Sequence, residues 1–154
     1  MRSRLEAVVL PAEPTEFRDD VRRIFRELDR TAGTEPITGE CAPALDVFET
    51  DETVEIRIDL PGVDPEAVRV VAKGLTILVA GYKRPRRTRG ESSFHLVERG
   101  YGRFARVIAL STPCDTSRAR ATLADGELRV SLPRVVERRG RSIEIPVSAD
   151  QPRS

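Results

Sequence analysis

The chain has 154 residues, enough for one domain of ordinary size with terminal tails but too few for two full cores. Its 26 basic and 25 acidic residues nearly cancel, so no overall field would attract nucleic acid or anionic lipid. Cys41 and Cys114 match no metal, redox or disulfide spacing. The apolar patch near the N-terminus is too short for a signal peptide or a membrane span. We therefore expect a cytoplasmic protein.

An amphipathic helix is predicted from Thr15 to Arg30. Its apolar residues recur at helical spacing, with charged residues between them: Phe17, Val21, Ile24, Phe25 and Leu28. The stretch from Thr31 to Pro43 contains two glycines and two prolines and is predicted to be a linker. We therefore expect the helix to lie outside the main domain, with its apolar face free for assembly or for other polypeptides. The alternative is a helix that packs on the domain as part of its core.

From Ala44 to Leu132 the apolar residues recur with a period of two, which predicts strands with one buried face. Val54, Ile56, Ile58 and Leu60 alternate with charged residues in the first clear example. Turn signals separate the strands, and Asp125-Gly126 is the strongest of these because it is typical of a two-residue hairpin. Many short strands with close turns predict an antiparallel β-sandwich.

One connection, between strands ending near Ala80 and starting near Arg103, spans about twenty residues, a length that usually has a functional role. Residues 93–98 have strand character and would be held on a long arm suited to pairing with another chain. The basic run from Lys83 to Arg89 could bind phosphates, but it lacks interleaved aromatic residues, so a solvated loop is favoured.

The last segment, residues 134–154, is polar and Arg-rich except for one apolar island, Ile143-Glu144-Ile145-Pro146-Val147. Ile143 and Ile145 point to one side of an extended peptide, and Pro146 removes a backbone donor. This island is predicted to dock on another subunit. A last edge strand of its own domain is the alternative.

Five segments in this order resemble the small heat shock proteins, which contain an α-crystallin domain. They are Asp46–Glu49 with Leu60–Val63, Gly74–Ile77, Glu98–Arg106, Ala121–Leu128 with Leu132-Pro133, and Ile143–Ile145. The resemblance covers roughly Ala44 to Val147. It implies three parts: an N-terminal region over residues 1–43, an α-crystallin domain over 44–133 and a C-terminal extension over 134–154.

The resemblance implies an all-β, immunoglobulin-like sandwich that forms a homodimer by exchanging the strand on the arm. The Ile-x-Ile tail would dock in a groove of another dimer and support higher homo-oligomers. The expected oligomer contacts are Phe94, Leu96, Glu98, Arg99, Arg106, Ile143 and Ile145. The N-terminal helix, through Phe17, Val21, Ile24, Phe25 and Leu28, would bind partly unfolded polypeptides, hereafter clients.

The resulting hypothesis is an ATP-independent chaperone, a holdase that needs no cofactor because apolar burial drives binding. No enzyme activity is expected, since His95 is the only histidine and lacks a nucleophile with an orienting acid, and no phosphate-binding or metal-binding motif occurs. The alternative is a co-chaperone or adaptor sandwich that binds one folded partner.

Overall fold

The structure, a computed structural model, describes residues 15–31, 39–85 and 90–135. A 3₁₀ turn, Thr15–Phe17, leads into helix α1, Arg18–Thr31. Seven strands follow: β1 Leu45–Glu49, β2 Thr53–Asp59, β3 Val68–Lys73, β4 Thr76–Lys83, β5 Gly102–Ala109, β6 Arg120–Ala124 and β7 Glu127–Pro133. Short 3₁₀ turns at Pro65–Ala67 and Thr116–Arg118 precede β3 and β6.

The strands form two antiparallel sheets, one in the order β1-β2-β7-β6 and the other in the order β3-β4-β5. Alternate apolar residues from both sheets meet in one core, as the period of two predicts. The most deeply buried of these, at 1% exposure or less, are Ile56, Ile58, Leu60, Ile77, Val79, Val130 and Leu132. The predicted antiparallel sandwich is therefore confirmed.

The hairpin between β6 and β7 is the one that the sequence marks most clearly. Asp125 and Gly126 both have positive φ, 53° and 75°, as a two-residue type I′ turn requires. Their left-handed backbone places Ala124 opposite Glu127 at the start of the ladder.

Strand β4 is buried on both faces, and this decides where α1 lies. Ile77 and Val79 face the core between the sheets, while Leu78, Ala80 and Tyr82 face the opposite side. A strand that is apolar on both faces needs cover on both.

Helix α1 supplies the second cover. Phe17, Ile24 and Leu28 are 0%, 2% and 1% exposed, and they pack against Leu78 and Ala80. The prediction that the helix lies outside the main domain is therefore wrong, because an apolar helix stripe and an apolar sheet face each remove the other from water.

The end of the predicted linker also belongs to the domain. The Cys41 amide donates to the Arg103 carbonyl at 2.9 Å, and the Arg103 amide donates to the Gly39 carbonyl at 3.0 Å. Gly102 permits this close approach, since a Cβ there would lie 2.3 Å from the Gly39 backbone. Residues 39–41 thus lie beside β5.

Candidate interaction surfaces

A polar cluster holds the N-terminal end of α1 on the sheet. Lys73 of β3 pairs with Asp20, which is only 9% exposed, and donates to the Glu16 carbonyl at 3.0 Å. The same ammonium lies 5.2 Å from the centre of the Phe17 ring, within range of a cation–π interaction. Arg23 completes the cluster with a 3.1 Å ion pair to Asp20. The negative charge of the buried Asp20 carboxylate is therefore paired with one cation from β3 and one from α1.

A second polar cluster holds the C-terminal end of the helix. The Tyr82 hydroxyl donates to Asp29 Oδ1 at 2.8 Å, and Arg103 Nη2 donates to Asp29 Oδ2 at 3.0 Å. The Arg103 guanidinium also lies 5.1 Å from the centre of the Phe25 ring. Burial, and then the bond to Asp29, raise the pKa of Tyr82 to about 12, so its hydroxyl stays protonated as a donor.

These contacts determine how far the predicted client-binding residues are exposed to solvent. Phe17, Ile24 and Leu28 are buried against the sheet, and Val21 and Phe25 are half-buried. The apolar stripe of α1 is therefore covered in this structure. Binding of a client to it would require the helix to leave the sheet.

The arm between β4 and β5 presents apolar side chains to solvent. Residues 90–101 form no strand within the single chain, and Phe94, Leu96 and Val97 are 71%, 74% and 65% exposed. Glu98 and Arg99 are also exposed. Pairing of this segment with another chain stays a prediction, because such pairing involves a second copy.

Strand β1 offers a matching open edge. Among the described residues it pairs only with β2, and Val47 and Phe48 are 43% and 42% exposed. Leu45 packs on the core, and Val47 lies on the same face two residues along, so the core is uncovered at this edge. An unpaired strand edge with apolar neighbours is a template for strand addition.

The predicted arginine contacts are local in this structure. Arg106 donates to the Pro43 carbonyl at 2.6 Å and so fixes the segment that leads into β1. The guanidinium of Arg99 lies 5.2 Å from the centre of the Tyr101 ring. Arg106 therefore supports the β1 edge from within its own chain. Contacts of Arg99 and Arg106 across chains stay predictions.

A groove of about 270 Å³ opens between the edges of the two sheets, next to β3 and β6. Its lining is mainly apolar and includes Val70, Ala72, Ile77, Ala121, Val130 and Leu132. The outer edge of β6 is unpaired among the described residues. Ile143 and Ile145, the predicted occupants of such a groove, lie outside the described residues.

The side chains most suited to metal binding or nucleophilic chemistry are His95, Cys41 and Cys114. His95 is exposed, and no group of three or more metal-ligating side chains occurs within residues 15–31, 39–85 and 90–135. Burial raises the pKa of the Cys41 and Cys114 thiols, which disfavours the nucleophilic thiolate. In the same ranges no helix is long and apolar enough to cross a membrane.

The model of the Hsp20/alpha crystallin family matches residues 46–148, which is more than half of the chain. The chain belongs to the Hsp20/alpha crystallin family. The small heat shock proteins of this family form two antiparallel sheets like those described above, and oligomerisation is typical of them. The resemblance in the sequence is therefore confirmed.

Two similar proteins agree with this assignment. Spore protein SP21 of Stigmatella aurantiaca is 36% identical over 110 residues, which cover 71% of this chain and 64% of SP21. Heat shock protein 16 of Schizosaccharomyces pombe is 33% identical over 103 residues, which cover 64% of this chain and 71% of that protein. The chain thus spans about two thirds of the length of these relatives.

A solved small heat shock protein from Xylella fastidiosa, described as having a distinct high order structure, is also similar. It is 25% identical, with a TM-score of 0.59, over 71% of this chain and all of that chain. In the two polar clusters that hold α1, the helix residues Asp20 and Asp29 precede the matched family region, whereas their partners on the sheet lie within it. Neither cluster was predicted, although the apolar run Ile77–Ala80 is a signal that β4 is covered on both faces.

Proposed function

We propose that this chain is an ATP-independent holdase, which binds clients on apolar surface and prevents their aggregation. Membership of a family that is generally chaperone-like supports the class of function. The observation that carries the proposal is the apolar stripe of α1, which covers Leu78 and Ala80 and would expose both surfaces to clients when the helix leaves the sheet. Apolar groups exposed in this way mark interaction sites rather than a catalytic centre.

The proposal includes a homodimer in which residues 94–98 pair with the β1 edge of a second copy. Phe94 and Leu96 alternate, so both would face the same side of an added strand. On that side they would extend the core beyond Leu45 and Val47, where one chain leaves it uncovered. The exchange would therefore bury apolar surface on both partners and satisfy the unpaired edge.

The groove beside β3 and β6 is the proposed site for the tail of another dimer. Ile143 and Ile145 are two residues apart, the spacing that puts both side chains on one face of an extended peptide. The apolar lining from Val70 to Leu132 suits two branched aliphatic side chains. A dimer carries two tails and two grooves, which would allow larger homo-oligomers.

Client binding by α1 is proposed for the undocked helix. Docking hides Phe17, Ile24 and Leu28, so the apolar stripe becomes available only when the helix leaves the sheet. A reducing, cytoplasmic location belongs to the same proposal, since Cys41 and Cys114 are free thiols.

Aggregation assays test the holdase. Two clients should be used, one that aggregates on heating and one that aggregates when its disulfides are reduced, and light scattering should be followed with and without ATP. We expect near-stoichiometric suppression of both, unchanged by nucleotide. A requirement for ATP would contradict the proposal, and binding confined to one folded partner would favour the adaptor.

A further inference from the structure

The outer face of the β3-β4-β5 sheet is an apolar strip with a cation at each end. Leu78 and Ala80 form its centre and are both 0% exposed beneath α1, with Val71 and Val107 on the neighbouring strands. Lys73 lies at the N-terminal end of the docked helix and Arg103 at its C-terminal end. This face is therefore apolar at its centre and positively charged at both ends.

Helix α1 matches this face in both respects. It presents a buried apolar stripe, and it places one carboxylate against each cation, Asp20 on Lys73 and Asp29 on Arg103. The other acidic residues of the helix, Asp19 and Glu27, are exposed and form no ion pair with the described residues. Within α1, the carboxylates that pair with cations of this face are thus those of Asp20 and Asp29.

We propose that this face is a client-binding surface that α1 occupies as an intramolecular substitute for a client. The preferred client segment is an amphipathic helix with an acidic side chain near each end of its apolar stripe. This inference rests on the proposed holdase function and names the class of segment that the holdase would take.

The sheet itself indicates a helical ligand. β4 is the central strand, and its backbone is paired on both sides with β3 and β5. A client therefore cannot join this face by strand addition, unlike the open edge of β1. It must pack through side chains, and the docked α1 shows that a helix fits this face.

The energetics indicate that α1 can exchange with such a segment. A 14-residue helix is marginal in water when it stands alone, so α1 depends on its docking contacts. Its attachment to the same chain gives it an effective concentration on the order of millimolar, which keeps client segments out while docking is strong. Weakening of the docking therefore frees the face for a segment supplied by another protein.

The test uses the full chain and a fluorescent peptide of residues 15–31. One host is the wild-type chain and the other is Ile24→Ala with Leu28→Ala, whose own helix binds its sheet more weakly. We expect fluorescence anisotropy to show at least tenfold tighter binding of the wild-type peptide to the weakened host, because the intramolecular competitor is lost.

Matched peptides test the acidic preference. A peptide with Asp20→Asn and Asp29→Asn should bind the weakened host about three- to tenfold more weakly, the range expected for two partly exposed ion pairs. The control with Asp19→Asn and Glu27→Gln has the same net charge and should bind like the wild-type peptide. The difference between the two should disappear in a weakened host that also carries Lys73→Gln and Arg103→Gln.

Equal affinity of the peptide for both hosts, or equal weakening by the two pairs of substitutions, would overturn the inference. Suppression of client aggregation by the weakened host should be measured in parallel. Suppression without competition from the peptide would overturn this inference and leave the holdase intact. Peptide binding without suppression by any variant would instead contradict the holdase and leave only a surface for amphipathic segments.

Discussion

Tyr82 of β4 donates its hydroxyl to Asp29 of α1 at 2.8 Å, and this bond joins the sandwich to the helix across 53 positions of sequence. The pKa of Tyr82 is raised to about 12, first by burial and then by Asp29. Because the folded pKa lies above the ordinary value near 10, this contribution to docking is fully present below about pH 10. It is lost as the pH rises through about 12.

The first prediction is therefore a pH dependence of the tyrosine itself. Tyr82 and Tyr101 are the two tyrosines, so Tyr101→Phe leaves one phenol to titrate by ultraviolet absorbance. We expect a midpoint near 12 that Asp29→Asn lowers only in part, because burial is the larger cause. A midpoint near 10 in the parent variant would show that Tyr82 is not covered by the helix.

The second prediction concerns the stability of helix docking. Ile24→Ala removes a side chain that is 2% exposed and should weaken docking by about 2–5 kcal/mol. Amides of α1 should then exchange faster with deuterium, while those of β2 and β7 keep their protection. Arg26→Ala on the exposed face is the control and should change stability by less than about 0.5 kcal/mol. Equal exchange in both variants would contradict the docked helix.

The third prediction concerns the dimer. Phe94→Lys with Leu96→Lys should shift the protein towards monomers, because the two lysines would place charge in the core extension that the added strand forms. Ser93→Lys with His95→Lys introduces the same number of lysines on the alternate face and should leave the dimer largely intact. Light scattering after size exclusion gives the mass directly. Dimers of unchanged mass in the first variant would rule out the proposed exchange.

The fourth prediction concerns the tail. Ile143→Ala with Ile145→Ala should convert higher oligomers to dimers, since a buried aliphatic side chain contributes about 2–5 kcal/mol and a surface groove somewhat less. Ala121→Glu in the groove should have the same effect from the other side of the contact. The sandwich should keep its melting temperature in both variants. A wild type that is only a dimer, or a tail variant that unfolds, would contradict this role.

The sequence alone predicted the sandwich, because the features that specify it are local. Alternation at Val54, Ile56 and Ile58 identifies a half-buried strand without knowledge of its partner, and Asp125-Gly126 identifies a hairpin from two residues. The order of five motifs also identified the family, which the match over residues 46–148 confirms. The roles of Phe94, Leu96, Ile143 and Ile145 stay predictions, since other chains would supply their partners.

Only the tertiary structure decided what the helix covers. Helical periodicity shows that α1 has an apolar stripe. Any complementary apolar surface could bury this stripe, whether it belongs to a client, a partner or the same chain. The choice depends on Asp29 meeting Arg103, 74 positions away, and Asp20 meeting Lys73, 53 positions away. Such pairs form only when the β3-β4-β5 sheet has folded and its outer face lies under the helix, so they cannot be read from any local sequence pattern.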